Sequence, residues 1–550
     1  MKYFIVLSFI GLMLLASCKE KSQQETDALN SNYLSPNTMC GTVQFSEGCG
    51  PAVDSLIQFG LALVHHMTYE DARYTFENII EKDPKCFWGY WGKAMTYIHP
   101  LWPDEPSKGE LKEGWELSQK ALKYAKDEKE TGYGKTIAAY YENGATKTEK
   151  ERLLAFEKGW REVHQQFPID LEADLFHGLS RLATASPADK SYSVQKEVGK
   201  TAEMALQIIP DHPGGFHYAI HAYDVPPLAS NAIRVANNYG KIAPEIPHAL
   251  HMPSHIFTRL GYWNESIEWN LRSAEAALKY PYKGQVSGHY FHALDYLVYA
   301  YLQKAEDKKA EELKATLDTL QGPYQIHAGT AFMLAAFPAR LALENHDWKK
   351  ASQLPERHPD HFAWEKFPAF EALTHFAKGI GAAREGNEQQ SLESIQKLQN
   401  IKKTLEENRA AQYWAQQVNI QKTAVEAWLF YAQNQKDQAL KTLLKAAEME
   451  AATEKSPITP GELLPMKEML GDMYFEMGMP EKAMVAYEEA LLRNPNRFNS
   501  IYGAGKAAEK VGDLEKAKQY YHQLLELVEN PSSERPEIQH ARSFLNVQQS

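Results

Sequence analysis

This 550-residue sequence predicts an all-α solenoid of stacked helical hairpins. Three observations point to it. Small, aromatic and proline residues recur at fixed offsets. Gly471, Gly478, Ala483, Tyr487, Ala490 and Pro495 are followed one period later by Gly505, Gly512, Ala517 and Tyr521, and near the other end by Gly60, Ala72, Phe76 and Pro84. Breaks marked by proline or glycine, among them Pro210–Gly215, Pro226-Pro227, Pro281–Gly288, Leu354–His361 and Ser456–Gly461, separate helical stretches. No stretch sustains period-2 alternation, so strands are not needed.

The spacing around Gly471 resembles the tetratricopeptide repeat, a helical hairpin whose small residues let its two helices approach closely. With the small residue of the first helix as position 8 and the alanine of the second as position 20, this pattern becomes a ruler for the whole chain.

From the N-terminus, residues 1–17 read as a signal peptide. Lys2 precedes an apolar run from Tyr3 to Leu15, too short for a membrane span, that ends in Leu15-Ala16-Ser17-Cys18. The motif resembles a bacterial lipoprotein signal. That resemblance implies cleavage before Cys18, acylation of its thiol and anchoring in a Gram-negative cell envelope, at the outer membrane. Residues 18–50 are expected to be a flexible tether, in which Cys40 and Cys49, flanked by Gly41, Gly48 and Gly50, close a small disulfide loop. Cys86 reads as a small buried core residue.

Residues 51–210 are expected to hold hairpins with inserted loops at Pro100–Gly109 and Ala185–Ser191. Residues 211–320 form histidine-rich units fixed by Ile220, Ala232 and Pro244, then by Ser254, Gly261 and Ser266. Residues 321–455 carry degenerate hairpins with Ala351, Ser391 and Ala439 at position 20, residues 456–531 two regular units, and residues 532–550 a tail. The total comes to about nine to eleven hairpins.

In such an array the first helix of each unit lines the concave surface, through positions 2, 5, 9 and 12. His217, His221 and Asp224 take positions 5, 9 and 12 of one unit, and His248, His251 and His255 take 2, 5 and 9 of the next. His292, Asp295 and Tyr299 take 2, 5 and 9 of the unit after, with His289 beside them. His65 and His99 share position 13 of the first two units. Histidines four apart on a helix present two imidazoles to one metal ion, and a neighbouring helix can supply more. Asp224 and Asp295 could complete such a site or orient a ring through its second nitrogen. Imidazole with carboxylate suits Zn, Cu, Fe or Ni. The same residues would equally build a buried hydrogen-bond network, a groove for a polar ligand or acidic peptide, or a metal-free acid/base site. No His-Glu-x-x-His, paired-cysteine motif, phosphate-cradling glycine loop or nucleophile elbow is present.

A net charge of −12 with no basic run interleaved with aromatics excludes a nucleic-acid partner. The clamp that holds chaperone C-termini is absent, because the last two units offer Pro465, Glu468 and Asp472, then Asn499, Tyr502 and Lys506, where Lys, Asn and Arg would be needed. Trp88 and Trp91 could stack on sugars or peptides but are more in keeping with helix-packing core.

Over residues 51–531 the chain is similar to a group of bacterial repeat-containing envelope proteins, through Tyr90–Trp102, His217–Asp224, His248–Phe257, Ile458–Gly478 and Asn496-Arg497-Phe498. The resemblance implies fold and location. Two functional readings stand. One is a lipid-anchored scaffold for a protein or peptide partner, with a glycan or small molecule as further ligand classes, serving a system such as polysaccharide utilisation. The other is a metal-binding protein or metal-dependent enzyme centred on the histidine-lined groove.

Overall fold

The computed structural model describes residues 33–45, 48–102, 104–320, 322–408, 411–528 and 533–549. Hairpins one to four pair α1 (Asp54–His65) with α2 (Tyr69–Lys82), α3 (Phe87–Met95) with α4 (Lys108–Tyr124), α5 (Glu128–Tyr141) with α6 (Glu149–Gln166), and α7 (Leu171–Thr184) with α8 (Ser193–Ile208). The fifth pairs α9 (Pro213–Tyr223) with α10 (Ile233–Ile242), and the sixth packs the two-piece arm α11 (Pro247–His251) and α12 (Pro253–Leu260) on α13 (Trp263–Lys279). Then come α14 (Gly288–Gln303) with α15 (Asp307–Thr319), α16 (Ala328–Leu343) with α17 (Trp348–Ser352), and α18 (Pro368–Arg384) with α19 (Glu388–Glu406). The last three are α20 (Gln412–Ala432) with α21 (Lys436–Ala451), α22 (Met466–Glu476) with α23 (Pro480–Arg493), and α24 (Phe498–Val511) with α25 (Leu514–Leu527). A final helix, α26 (Pro536–Gln549), follows. No strand longer than an isolated bridge occurs among the described residues.

Pairing the helices in this way gives twelve hairpins among the described residues, more than the nine to eleven expected. The difference lies between residues 100 and 200, where long loops hide the register but the helices are regular. Local chemistry explains their ends. Ser107 with Glu110, and Thr148 with Glu151, form capping boxes that satisfy the first amides of α4 and α6. Gly261 and Gly512 close α12 and α24 in the left-handed conformation. Pro253, with no N–H to give, divides the sixth first arm. The glycine that sets the ruler acts by close approach, since a Cβ at Gly471 would sit 2.5 Å from the Tyr487 ring.

The array winds back on itself. α9 packs on α1, and α24 packs on α14. The apolar core accordingly forms two large bodies, one drawn from residues between 34 and 276 and one from residues between 274 and 486, with a smaller one that joins Ala305 to residues between 498 and 545. Trp88 and Trp91 are buried in the first, Trp88 edge-on to Phe45 and Tyr133 and Trp91 edge-on to Trp160, so they are packing residues.

Three expectations are corrected. The described part of residues 33–50 is no tether: Leu34, Val43 and Phe45 are buried, and the Leu34 amide donates to Asp71 at 2.8 Å. Cys40 and Cys49 are not bonded to each other; Cys49 is joined to Cys86, and Cys40 is a free, buried thiol that burial pushes up to about 11. The Cys49 sulfur is committed to Cys86, so it closes no small loop with Cys40. The described part of residues 532–550 is not a tail, because Ile538, Ala541 and Leu545 of α26 share one apolar cluster with Phe498 and Tyr521 and cap the array. Cys18 and residues 1–17 lie outside the described residues.

Candidate metal centre

The concave face that the ruler selects is not an open groove. The segment between α21 and α22, residues 452–465, crosses it as a strap. Thr459 and Gly461 accept from Arg340 of α16, both at 2.9 Å, and the Pro457 and Thr459 carbonyls lie 3.1 and 3.2 Å from the Tyr296 hydroxyl. From the other side, Trp102 in the loop after α3 lies against His248, His289 and His327, with ring centres 5.4 to 5.9 Å apart. The histidines of α9, α11, α12 and α14 are thereby enclosed in a chamber.

Two triads form there. His217 and His221, four apart on α9, meet His248 of α11, with one nitrogen of each within 4.8 Å of the others. His251 and His255, four apart across the α11–α12 junction, meet His292 of α14 on the same terms. Burial holds His217, His248, His251 and His292 well below the ordinary imidazole range, with repulsion from neighbouring histidines adding to it, and His221 is pushed down to about 3. These rings are neutral at physiological pH and carry a lone pair.

Their outer partners fix where that lone pair points. The Asn270 amide nitrogen donates to the Ser266 carbonyl, so its oxygen accepts from His251 Nδ1–H at 2.7 Å. Asp224 Oδ2 accepts from His255 Nδ1–H at 2.9 Å while Oδ1 takes Arg259 Nε at 2.7 Å, and Lys455 of the strap stands 3.6 Å from Oδ2. Burial would raise the Asp224 carboxyl, but Lys455 and Arg259 hold it well below the usual range, so it is ionised. His251 and His255 therefore turn bare Nε2 lone pairs toward each other, 3.0 Å apart.

A third grouping shows what a satisfied cluster looks like. His212 Nδ1 caps α9 by accepting from the Gly214 and Gly215 amides, so its Nε2–H donates to Glu172 at 3.0 Å. Glu172 also meets His65 Nε2 at 2.6 Å, and His65 Nδ1 meets the Tyr218 hydroxyl at 2.9 Å. No nitrogen is left over, and this is a closed buried network.

The other expected residues are dispersed. His99 gives both ring protons away, to Asp104 and to the Thr96 carbonyl, and Asp104 raises it against the effect of burial. Asp295 joins neither triad, and its Oδ1 accepts from Arg340 Nε at 2.9 Å. Tyr299 accepts from Arg497 at 3.3 Å. His289 stands at the chamber's edge between His248 and His327. The ruler misses Tyr296, whose ring centre is 4.6 Å from that of His251, because it falls at position 6, which the ruler does not count, although it stands one turn after His292, and it misses Asn270 because that residue lies on a second arm.

Comparisons with known proteins bear on the array rather than the chamber. Residues 464–497 and 498–530 match the tetratricopeptide repeat, as the spacing around Gly471 predicts. An uncharacterized protein, ycf37, of Pyropia yezoensis is 42% identical over 59 residues, which is 11% of this chain and about a third of that relative's length. Of solved structures, yeast Tom70 aligns over 90% of this chain and 96% of its own at 13% identity and a TM-score of 0.31, and the P58(IPK) TPR domain over 91% and 100% at 11% and 0.22. The chain is thus an all-helical solenoid that carries tetratricopeptide repeats, a scaffold type suited to protein partners, over residues 464–530.

Proposed function

We propose that this protein binds a transition-metal ion through His251, His255 and His292, as a metal-binding protein or metal-dependent enzyme built inside a repeat solenoid. The observation that carries this is the pair of Nε2 atoms 3.0 Å apart. Asn270 and Asp224 take the Nδ1 protons, so two lone pairs face each other in a buried place, and only a cation between them makes the arrangement favourable. Outer-shell acceptors that fix the tautomer of a ligating histidine are the usual support of such sites. Three neutral imidazoles suit zinc, copper, iron or nickel.

The test is elemental analysis of full-length protein purified without a histidine tag and after incubation with Zn(II) or copper. At least one bound ion per chain is expected, and His255→Ala/His292→Ala should hold one ion fewer than the wild type. Metal-free protein that also fails to take up added ion would mean that the two nitrogens share a proton, and would overturn the reading.

The scaffold reading is supported by the repeats at 464–530. With the concave face covered by the strap, its partner surface moves outward, where Leu492 and Val485 of α23 stand 80% and 51% exposed. Envelope placement rests on the motif ending in Cys18, and the Cys49–Cys86 disulfide supports it, since such bonds persist in oxidising compartments. Cys18→Ala should release the protein from the membrane fraction; continued membrane association would refute the anchor.

A further inference from the structure

We infer that the chamber holds a second metal ion, bound by His217, His221 and His248, and that the two ions are a copper pair. The inference rests on the first seat being a metal seat, but it is carried by different atoms. His217 Nδ1–H donates to the His65 carbonyl at 2.6 Å, which leaves its Nε2 a bare acceptor. That Nε2, the Nε2 of His221 and both nitrogens of His248 are buried with no hydrogen-bond partner among the described residues. His217 is fully buried and His248 only 6% exposed. Buried polar atoms in native proteins are almost always partnered, so this concentration of orphans on one triad requires an explanation. The His65–Glu172–His212 cluster, of the same size and with His212 capping the same helix α9, has none.

The two triads adjoin. The His221 ring centre lies 6.2 Å from that of His255, and the His248 centre 6.3 Å from that of His251, spacings no larger than the 6.4 Å between His255 and His292 within one triad. Two ions seated in them share one chamber.

Charge balance then selects the element. Neither triad contains a carboxylate, and Asp224, the buried carboxylate beside them, is already shared by Arg259 and Lys455. Two Zn(II) ions would bring four positive charges into an interior where neither triad supplies a carboxylate to offset them, a larger burial cost than two singly charged ions carry. Imidazole also suits copper, and as Cu(I) it brings one charge per ion, half of what Zn(II) brings to the same ligands.

The experiment is anaerobic titration of chelator-stripped full-length protein with Cu(I), and separately with Zn(II), followed by desalting and elemental analysis. Two Cu(I) per chain and fewer than two Zn(II) are expected. His221→Ala/His248→Ala should keep one Cu(I), and adding His255→Ala/His292→Ala should remove it. His248 makes no hydrogen bond that its substitution would break, and unchanged helical circular dichroism confirms that the variant is folded. One Cu(I) per wild-type chain, or two retained by His221→Ala/His248→Ala, overturns the second seat. Two Zn(II) bound as readily as copper overturns the choice of element. No metal of either kind overturns the first seat instead, so the two failures are distinguishable.

Discussion

At the scale of single residues, Asp224 shows how placement on the right face differs from role. The ruler brings it to the groove as a prospective ligand, yet it acts one step back, holding the His255 proton and a buried guanidinium together. Asp224→Asn should weaken metal binding at the His251–His255–His292 seat by roughly 10–100-fold, as loss of an outer-shell carboxylate does. Competition with a chromophoric chelator measures this, and an unchanged affinity would mean that the carboxylate serves only Arg259 and Lys455. The triads were legible in the sequence because histidines four apart on a first arm share a face whatever the tertiary detail. Glu172, Asn270 and Lys455 were not, since each reaches the histidines from an element that the repeat register assigns elsewhere.

At the scale of elements, the repeat hairpins follow from small-residue spacing, capping boxes and prolines, all local signals. The segments joined to them do not. Residues 33–45 look polar enough for a tether, and their burial depends on a few apolar side chains and on Asp71, far away in sequence. Burial pushes the Asp71 carboxyl up to about 7, although the Leu34 amide opposes the shift. An unfolded aspartate titrates near ~4, so the native protein favours the protonated form. The stability contributed by this preference is complete below about pH 4 and is lost as pH rises through 7. Asp71→Asn should therefore flatten the fall in melting temperature over that window. Parallel wild-type and variant curves between pH 4 and 7 would show that Asp71 is already ionised in the fold.

At the scale of the molecule, long-range polar bonds decide why a solenoid becomes a closed body. Fully buried Arg497, at the start of the last hairpin, bonds Glu468 at 2.7 and 2.9 Å and Glu344 at 2.8 Å, tying α24 to α22 and to α16. Removing the cation leaves two carboxylates buried together, and Arg497→Ala should cost about 3–5 kcal/mol, the penalty for breaking a buried ion pair. Urea denaturation followed by hydrogen exchange should show α24 and α25 opening first in this variant; a change under 1 kcal/mol would mean that water replaces the arginine. Such closure is invisible to a repeat register, which describes nearest neighbours only. The strap adds a constraint in time. Residues 452–465 leave the ribosome long after His292, so both triads can be assembled while one wall of their chamber is still missing. An ion bound as proposed would enter along that open side and leave slowly once the strap is in place, so metal content would be set when the chain folds and not by later exchange with the surroundings.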